Sequence, residues 1–272
     1  MLKMQVKVGL KSNKLSSIVQ CFGLTQNPSN GNYLLVMLKY NMNLREYLQQ
    51  NNNQLTWNER IEITFSVINR LYFIHKENSI HRDLHSGNIL YSQFNDGWRI
   101  SDLGFCGPAD KPSTSIYGNL PYIAPEVING EGYTFRSDIY SIAMLMWEIS
   151  FGQPPFMNYE HDYILAINII DGIRPKILSE IPLKYKSLME QSSNLSKSGK
   201  INFKENDSKE SSRLYKKLKV ENVDEQNDYE REIMQQRSNI SINDEVQDNP
   251  NLHSEEKDKT PDDGFQINFQ LI

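Results

Sequence analysis

With 272 residues, 38% of them apolar, the chain can bury a real core and form one large domain or two modest ones. Its 29 lysines and arginines against 34 aspartates and glutamates give a net charge of −5, which offers no basic surface to a nucleic-acid backbone. Two cysteines, Cys21 and Cys106, exclude a disulfide framework and a cysteine zinc site, and the longest apolar run, residues 139–147, is far short of the ~20 that a membrane span needs.

The charge is unevenly spread. Residues 1–190 hold 17 basic and 17 acidic side chains, whereas residues 191–272 hold 12 and 17, so the net charge lies wholly in the second part. No charged-then-apolar leader opens the sequence, and the expectation is a cytoplasmic or nuclear protein that is not secreted and binds neither membrane nor nucleic acid.

In chain order, residues 16–26 and 33–40 are rich in β-branched and apolar side chains and flank a turn-like Asn-Pro-Ser-Asn-Gly, which predicts a hairpin. Asn43 is placed to cap a short helix through Gln50. From Thr56 to Lys76 apolar positions recur at spacings of three and four (Ile61, Phe65, Ile68, Tyr72, His75), the pattern of an amphipathic helix capped by Thr56 or Asn58. Two strands, 88–92 and 98–105, flank the turn Gln-Phe-Asn-Asp-Gly. Residues 133–152 predict a helix that is apolar nearly all round, ends at Gly152 and belongs in the middle of a domain. Ile164–Ile170 and Leu183–Met189 are shorter helices.

After Gln191 serine, asparagine and charged residues dominate, and too little apolar surface remains to offset chain entropy. The tail is therefore expected to be largely disordered, with transient helices near 211–220 and 229–237. Its last residues, 264–272, alternate apolar and polar as an edge strand would. No internal repeat is visible.

The chemistry concentrates in residues 81–88, His-Arg-Asp-Leu-His-Ser-Gly-Asn. His81 and His85 are four apart, as in helical zinc sites, but Arg82 stands where such a motif needs glutamate and Gly87 argues for a loop. Asp83, Asn88 and Asp102 make the better set. A short gap, a strand, a turn and a second strand can bring three oxygen-bearing side chains to one point, where two hold a nucleotide-borne Mg²⁺ and the third accepts a proton.

Residues 81–88 resemble the protein-kinase catalytic loop, and Ser101-Asp102-Leu103-Gly104 resembles the magnesium-binding Asp-Phe-Gly. The segment 118–127, with Ala124-Pro125-Glu126, is similar to the end of the activation segment, and 136–156 resembles the buried central helix of the kinase C-lobe. The resemblance implies an α+β, protein kinase-like fold: a remnant two-stranded N-lobe at 1–40, a mainly helical C-lobe at 41–190 and the tail at 191–272. It implies Asp83 as the catalytic base, with Arg82 meeting a phosphorylated activation segment whose candidate sites are Ser113, Thr114, Ser115 and Tyr117. Asn88 and Asp102 would hold Mg²⁺ on ATP, and Leu38, Lys39, Tyr40, Asn41 and Leu90 would line the nucleotide site. His81 and Asp138 would brace the loop. Tyr122 follows the serine/threonine pattern, while His85 stands where those kinases carry lysine and Asn119 where they carry threonine. The mixture is similar to the tyrosine-kinase-like group, which implies a protein Ser/Thr hydroxyl as acceptor.

Two family features have no counterpart. No Gly-x-Gly-x-x-Gly occurs, and Lys7 lies too near the predicted hairpin to be the ATP lysine. Residues 1–15 then match the helix that follows that lysine, with Gln5 near its glutamate position. The Arg-Pro that would pair with Glu126 is also missing after residue 190. Two expectations follow: a protein kinase that lacks its first strands, or a kinase-like binding module without turnover.

Overall fold

The computed structural model describes residues 18–93, 97–108, 116, 118–177, 181–195, 213–214 and 216–217. The predicted hairpin is present as β1 (Cys21–Gln26) and β2 (Tyr33–Met37), antiparallel and closed by Asn27 and Asn32 across the turn. It begins five residues later than the apolar run suggests. Ile18 instead forms a parallel bridge with Ile100, and the Val19 amide donates to the Ile100 carbonyl, which ties the hairpin to the rest of the molecule.

The chain then runs through β3 (Met42–Asn43) into α1 (Leu44–Asn51) and α2 (Trp57–Lys76). Both helices open with a capping box: Asn43 with Glu46, and Thr56 with Glu59. Thr56 is thus the cap and Asn58 is not. The buried side of α2 is Ile61, Thr64, Ile68, Leu71 and His75, widened by Ile63, Val67 and Ile74, while Phe65 and Tyr72 are only half-buried. The buried stripe is therefore rotated by part of a turn from the predicted one, because the helix packs against both α4 and β6.

Next come β4 (Ser79–Ile80), a 3-10 turn at Ser86–Asn88, β5 (Ile89–Ser92), β6 (Gly97–Ile100) and β7 (Gly107–Pro108). β3, β5 and β6 form one antiparallel sheet, with Asn43 opposite Leu90 and Ile89 opposite Ile100, and β4 pairs with β7. The second strand of the predicted pair stops at Ile100 instead of Phe105: Asp102 adopts φ 52, which breaks the ladder.

Then follow α3 (Pro125–Ile128), α4 (Phe135–Phe151) and α5 (Tyr163–Ile170). In α4, 13 of the 17 residues are buried, so it is the axle of the core and not a surface helix. α6 (Leu183–Asn194) runs five residues beyond Met189 and past the expected domain boundary at 190. Leu214 is also buried in the core, and Lys217 donates to the Gln191 side chain, so part of the stretch expected to be disordered packs on α6. Residues 1–15 and the two later tail segments, 229–237 and 264–272, lie outside the described residues.

The end of α4 shows how tightly the helices are keyed. Gly152 caps it in the left-handed region, φ 72, and a Cβ there would lie 2.2 Å from Asn52 Cγ. Asn52 Nδ2 donates to the Phe151 carbonyl, while Arg60 donates to the carbonyls of Asn52 and Ile149. Gly152→Ala is expected to cost about 2–4 kcal/mol, the sum of left-handed strain and overlap with a packed side chain. Urea denaturation of the two chains measures it.

Among the described residues no helix is long and apolar enough to cross a membrane. Cys21 and Cys106 are both free and buried; burial pushes the Cys106 thiol up to about 12, which keeps it protonated and unreactive.

Candidate functional site

The loop at 81–88 is built outward from Asp138, which lies on the first turn of α4 and is 1% exposed. Its carboxylate accepts the amides of His81 at 2.8 Å and Arg82 at 3.0 Å and meets His75 Nε2 at 2.9 Å. Burial pushes this carboxyl up, but the bond to His75, the nearby imidazoles and the Arg82 amide outweigh it and hold the group below the usual carboxylate range. Arg82 is thereby fixed at φ 72, a conformation that a side chain with Cβ disfavours. The strained residue is followed directly by Asp83, so the buried anchor sets the direction of Asp83.

Two histidines hold the loop's shape with the same local bond. His81 Nδ1 accepts the Asp83 amide at 3.3 Å, and His85 Nδ1 accepts the Gly87 amide at 3.1 Å. His81 Nε2 then donates to the Ser101 carbonyl, 2.9 Å away, and joins the loop to the end of β6. Both imidazoles are committed to protein groups, and no three His, Cys, Asp or Glu side chains gather as a metal centre among the described residues.

Asn88 closes the loop on itself. Its Nδ2 donates to the Asp83 carbonyl at 2.8 Å and reaches Asp83 Oδ2 at 3.5 Å, while its own carbonyl accepts the Ser101 amide and hydroxyl. Asp102 follows Ser101 in the left-handed region, is exposed, and accepts the Gly104 amide on Oδ1. Asn88 thus bonds Asp83 on one side and Ser101 on the other, and Asp102 is the next residue after Ser101 at the end of the β5–β6 hairpin. With Nδ2 committed, Asn88 keeps an amide oxygen that accepts no protein donor among the described residues. That oxygen and the exposed Asp102 carboxylate fit a hard cation that retains water or phosphate ligands.

The Asp83 carboxylate is crowded on its other oxygen. His85 Nε2 lies 3.7 Å from Oδ1, and a Cβ at Gly118, φ +106, would lie 2.9 Å from it. Gly118, Asn119 and Tyr133 line a small depression beside Arg82 and Asp83. Burial lowers the His85 imidazole pKa; Asp83 opposes this, Arg45 and His81 add to it, and Asp102 opposes it.

Arg82 bonds the Pro108 carbonyl at 3.2 Å and lies over the Tyr133 ring at 6.0 Å. The four candidate phosphorylation sites, Ser113, Thr114, Ser115 and Tyr117, lie outside the described residues, so the Arg82–phosphate pairing is untouched by this geometry. In the linker that leaves β2, the Leu38 amide donates to the Gln20 carbonyl; Leu38 and Tyr40 are half-buried, while Lys39 is exposed. Burial raises the Tyr40 hydroxyl against the opposing charges of Arg99 and Arg70. Asn41 clamps this linker to β5, since its amide donates to the Tyr91 carbonyl and its side chain exchanges bonds with Gln93. Leu90 is half-buried opposite Asn43.

Sequence reading missed a second polar node. Glu148 of α4, 1% exposed, accepts Ser86 Oγ at 2.8 Å and the Tyr122 hydroxyl at 2.5 Å, and Arg45 Nε approaches it at 3.5 Å. Arg45 also bonds Ser86 and Tyr122. Four segments are thus joined beneath the loop: α1, the 3-10 turn, residues 120–122 and α4. Burial raises the Glu148 carboxyl, opposed by Tyr122, Ser86 and Arg45. The available signal was a lone acid inside Met-Leu-Met-Trp-Glu-Ile-Ser-Phe, which has to find partners if the helix is buried.

Residues 4–258 match the family model described as the protein kinase domain. The chain is 32% identical over 141 residues, 51% of its length, to a probable serine/threonine-protein kinase of Dictyostelium discoideum, of which it covers 9%. It is 29% identical over 167 residues to the serine/threonine-protein kinase CLA4 of Candida albicans (58% of this chain, 17% of that protein). It is 28% identical over 165 residues to the dual specificity protein kinase zakA of Dictyostelium discoideum (55% and 21%). The chain thus spans between about a tenth and a fifth of the length of these relatives. With most of its length matched by the family model and the loop, the hairpin and the buried aspartate assembled as the motifs require, the chain belongs to the protein kinase domain family.

Proposed function

We propose that this chain carries the phosphoryl-transfer site of a serine/threonine protein kinase that uses Mg²⁺-ATP. The observation that supports it most strongly is the bonding of Asn88 to Asp83 and to Ser101, the neighbour of Asp102, in a loop braced by a buried aspartate. ATP supplies the γ-phosphoryl group, and Mg²⁺ neutralises its charge. Asn88 and Asp102 would hold the metal, the linker at 38–41 with Leu90 would take the base, and Asp83 would accept the proton of the attacking hydroxyl. A Ser/Thr acceptor rests on Tyr122 and on two relatives named as serine/threonine kinases. A cytoplasmic or nuclear setting fits a chain whose cysteines are both free.

The alternative reading is a kinase-like binding module that performs no transfer. A thermal melt with and without Mg²⁺-ATP separates the two. At a hundredfold excess over Kd, binding adds about 2.7 kcal/mol, a rise of about 5–10 °C. The rise is expected to need Mg²⁺ and to vanish in Asp102→Ala. A cooperative melt that Mg²⁺-ATP leaves unmoved favours the binding module.

A further inference from the structure

We infer that His85 is a positioning residue for Asp83: its Nε2–H orients the Asp83 carboxylate, and the Gly87 amide fixes the tautomer that makes this possible. The pairing itself stands on local geometry, and its effect on turnover rests on the phosphoryl-transfer reading above.

One hydrogen bond leaves a single proton arrangement. The Gly87 amide donates to His85 Nδ1 at 3.1 Å, so Nδ1 must carry a lone pair and the ring proton of a neutral imidazole must sit on Nε2. Nε2 faces Asp83 Oδ1 at 3.7 Å, slightly longer than a hydrogen bond. Contacts of this length in an unliganded site commonly shorten once substrate is bound. The other carboxylate oxygen is met by Asn88 Nδ2 at 3.5 Å. The two donors face the two oxygens, so closure of both contacts would orient the carboxylate from both ends while its remaining lone pairs stay available to a hydroxyl proton.

Neighbouring groups support the same assignment. The His85 ring packs against Tyr122 with centroids 6.0 Å apart, and Tyr122 is itself held by Glu148. The ring is therefore anchored to the buried node under the loop. Gly87 leaves room for the ring: a Cβ there would lie 2.9 Å from His85 Cε1 and 3.0 Å from Nδ1. Its backbone is not in the left-handed region, so an alanine can be accommodated by swinging the imidazole away. Gly87→Ala thereby offers a way to move the ring without removing it.

The test uses the full chain labelled at its histidines. A long-range ¹H–¹⁵N spectrum of His85 is expected to show a single Nε2–H tautomer. Asp83→Asn should shift the Nε2 resonance, and Gly87→Ala should give mixed tautomers. Phosphoryl transfer to a Ser/Thr peptide gives the second readout. His85→Ala should lower kcat about tenfold with KM for Mg²⁺-ATP within twofold of wild type, Gly87→Ala should reproduce that loss, and His85→Gln, which keeps a donor at the same reach, should recover part of it. A His85 spectrum that is indifferent to Asp83→Asn, or a kcat in His85→Ala within twofold of wild type, overturns the inference. The spectrum reads the coupling whether or not the chain turns over, so failure of the phosphoryl-transfer reading and failure of this pairing are told apart.

Discussion

Asp83→Asn is expected to lower phosphoryl transfer by about 10²–10⁴, equivalent to about 3–5 kcal/mol at the transition state, while leaving the fold intact. The substitution keeps the shape of the side chain but removes its negative charge, one acceptor oxygen and its ability to take a proton. Asn88 holds the loop through the Asp83 carbonyl at 2.8 Å, a bond that the change does not touch, and His81 holds the Asp83 amide. The melting temperature should stay within about 2 °C, since the contacts given up are the loose ones to His85 and Asn88 Nδ2. Steady-state transfer to a Ser/Thr peptide measures the effect. A loss below tenfold in a folded protein would refute Asp83 as the base, and the acceptor proton would then have to leave by another route. The binding-module reading makes the opposite statement, because a docking surface has no use for the basicity of Asp83.

What could be read from the sequence divides along a physical line. Local signals were legible because their causes are local. Asn43 and Thr56 cap helices through bonds to residues three ahead, Gly152 ends a helix because its φ is 72, and an Asn-Pro-Ser-Asn-Gly turn closes a hairpin. The candidate loop at 81–88 was legible for a related reason: its residues are consecutive, and Asp102 lies one hairpin away. The Glu148 node was not, because its members are spread along the chain from Arg45 to Glu148 and each has an ordinary local environment. Only tertiary packing brings Arg45, Ser86 and Tyr122 to one buried acid. The rotation of the apolar stripe on α2 has the same origin, since two partners bury two overlapping faces. Leu214 lies in a polar stretch whose composition reads as disorder, yet it is buried in the core. An average over a window cannot register a single anchor.

Asp138→Asn is expected to destabilise the domain by about 3–5 kcal/mol at neutral pH, although the residue touches no substrate. Asparagine is the same size, but it has one acceptor oxygen where the carboxylate has two, and its amide group would face a backbone N–H or His75 Nε2. A buried donor would meet a donor, and at least one of the His81 and Arg82 amides would lose its partner. The effect has a pH signature of definite sign. The folded-state pKa of Asp138 is depressed, so its contribution is complete above the ordinary carboxyl range near 4 and is lost as pH falls through the folded value. The stability gap between wild type and Asp138→Asn should therefore be constant from pH 7 to about 5 and narrow below about 4. Urea denaturation at about pH 7, 5 and 3.5 measures it, and a gap under about 1 kcal/mol at pH 7, or one that widens in acid, would contradict the anchoring role. The same variant should also lower transfer in whatever fraction remains folded. Arg82 stays at φ 72 only while its amide is held, and relaxation there would turn Asp83 away from Asn88. Stability and chemistry are thus coupled through one buried carboxylate: it holds a strained backbone in place, and that backbone aims the base.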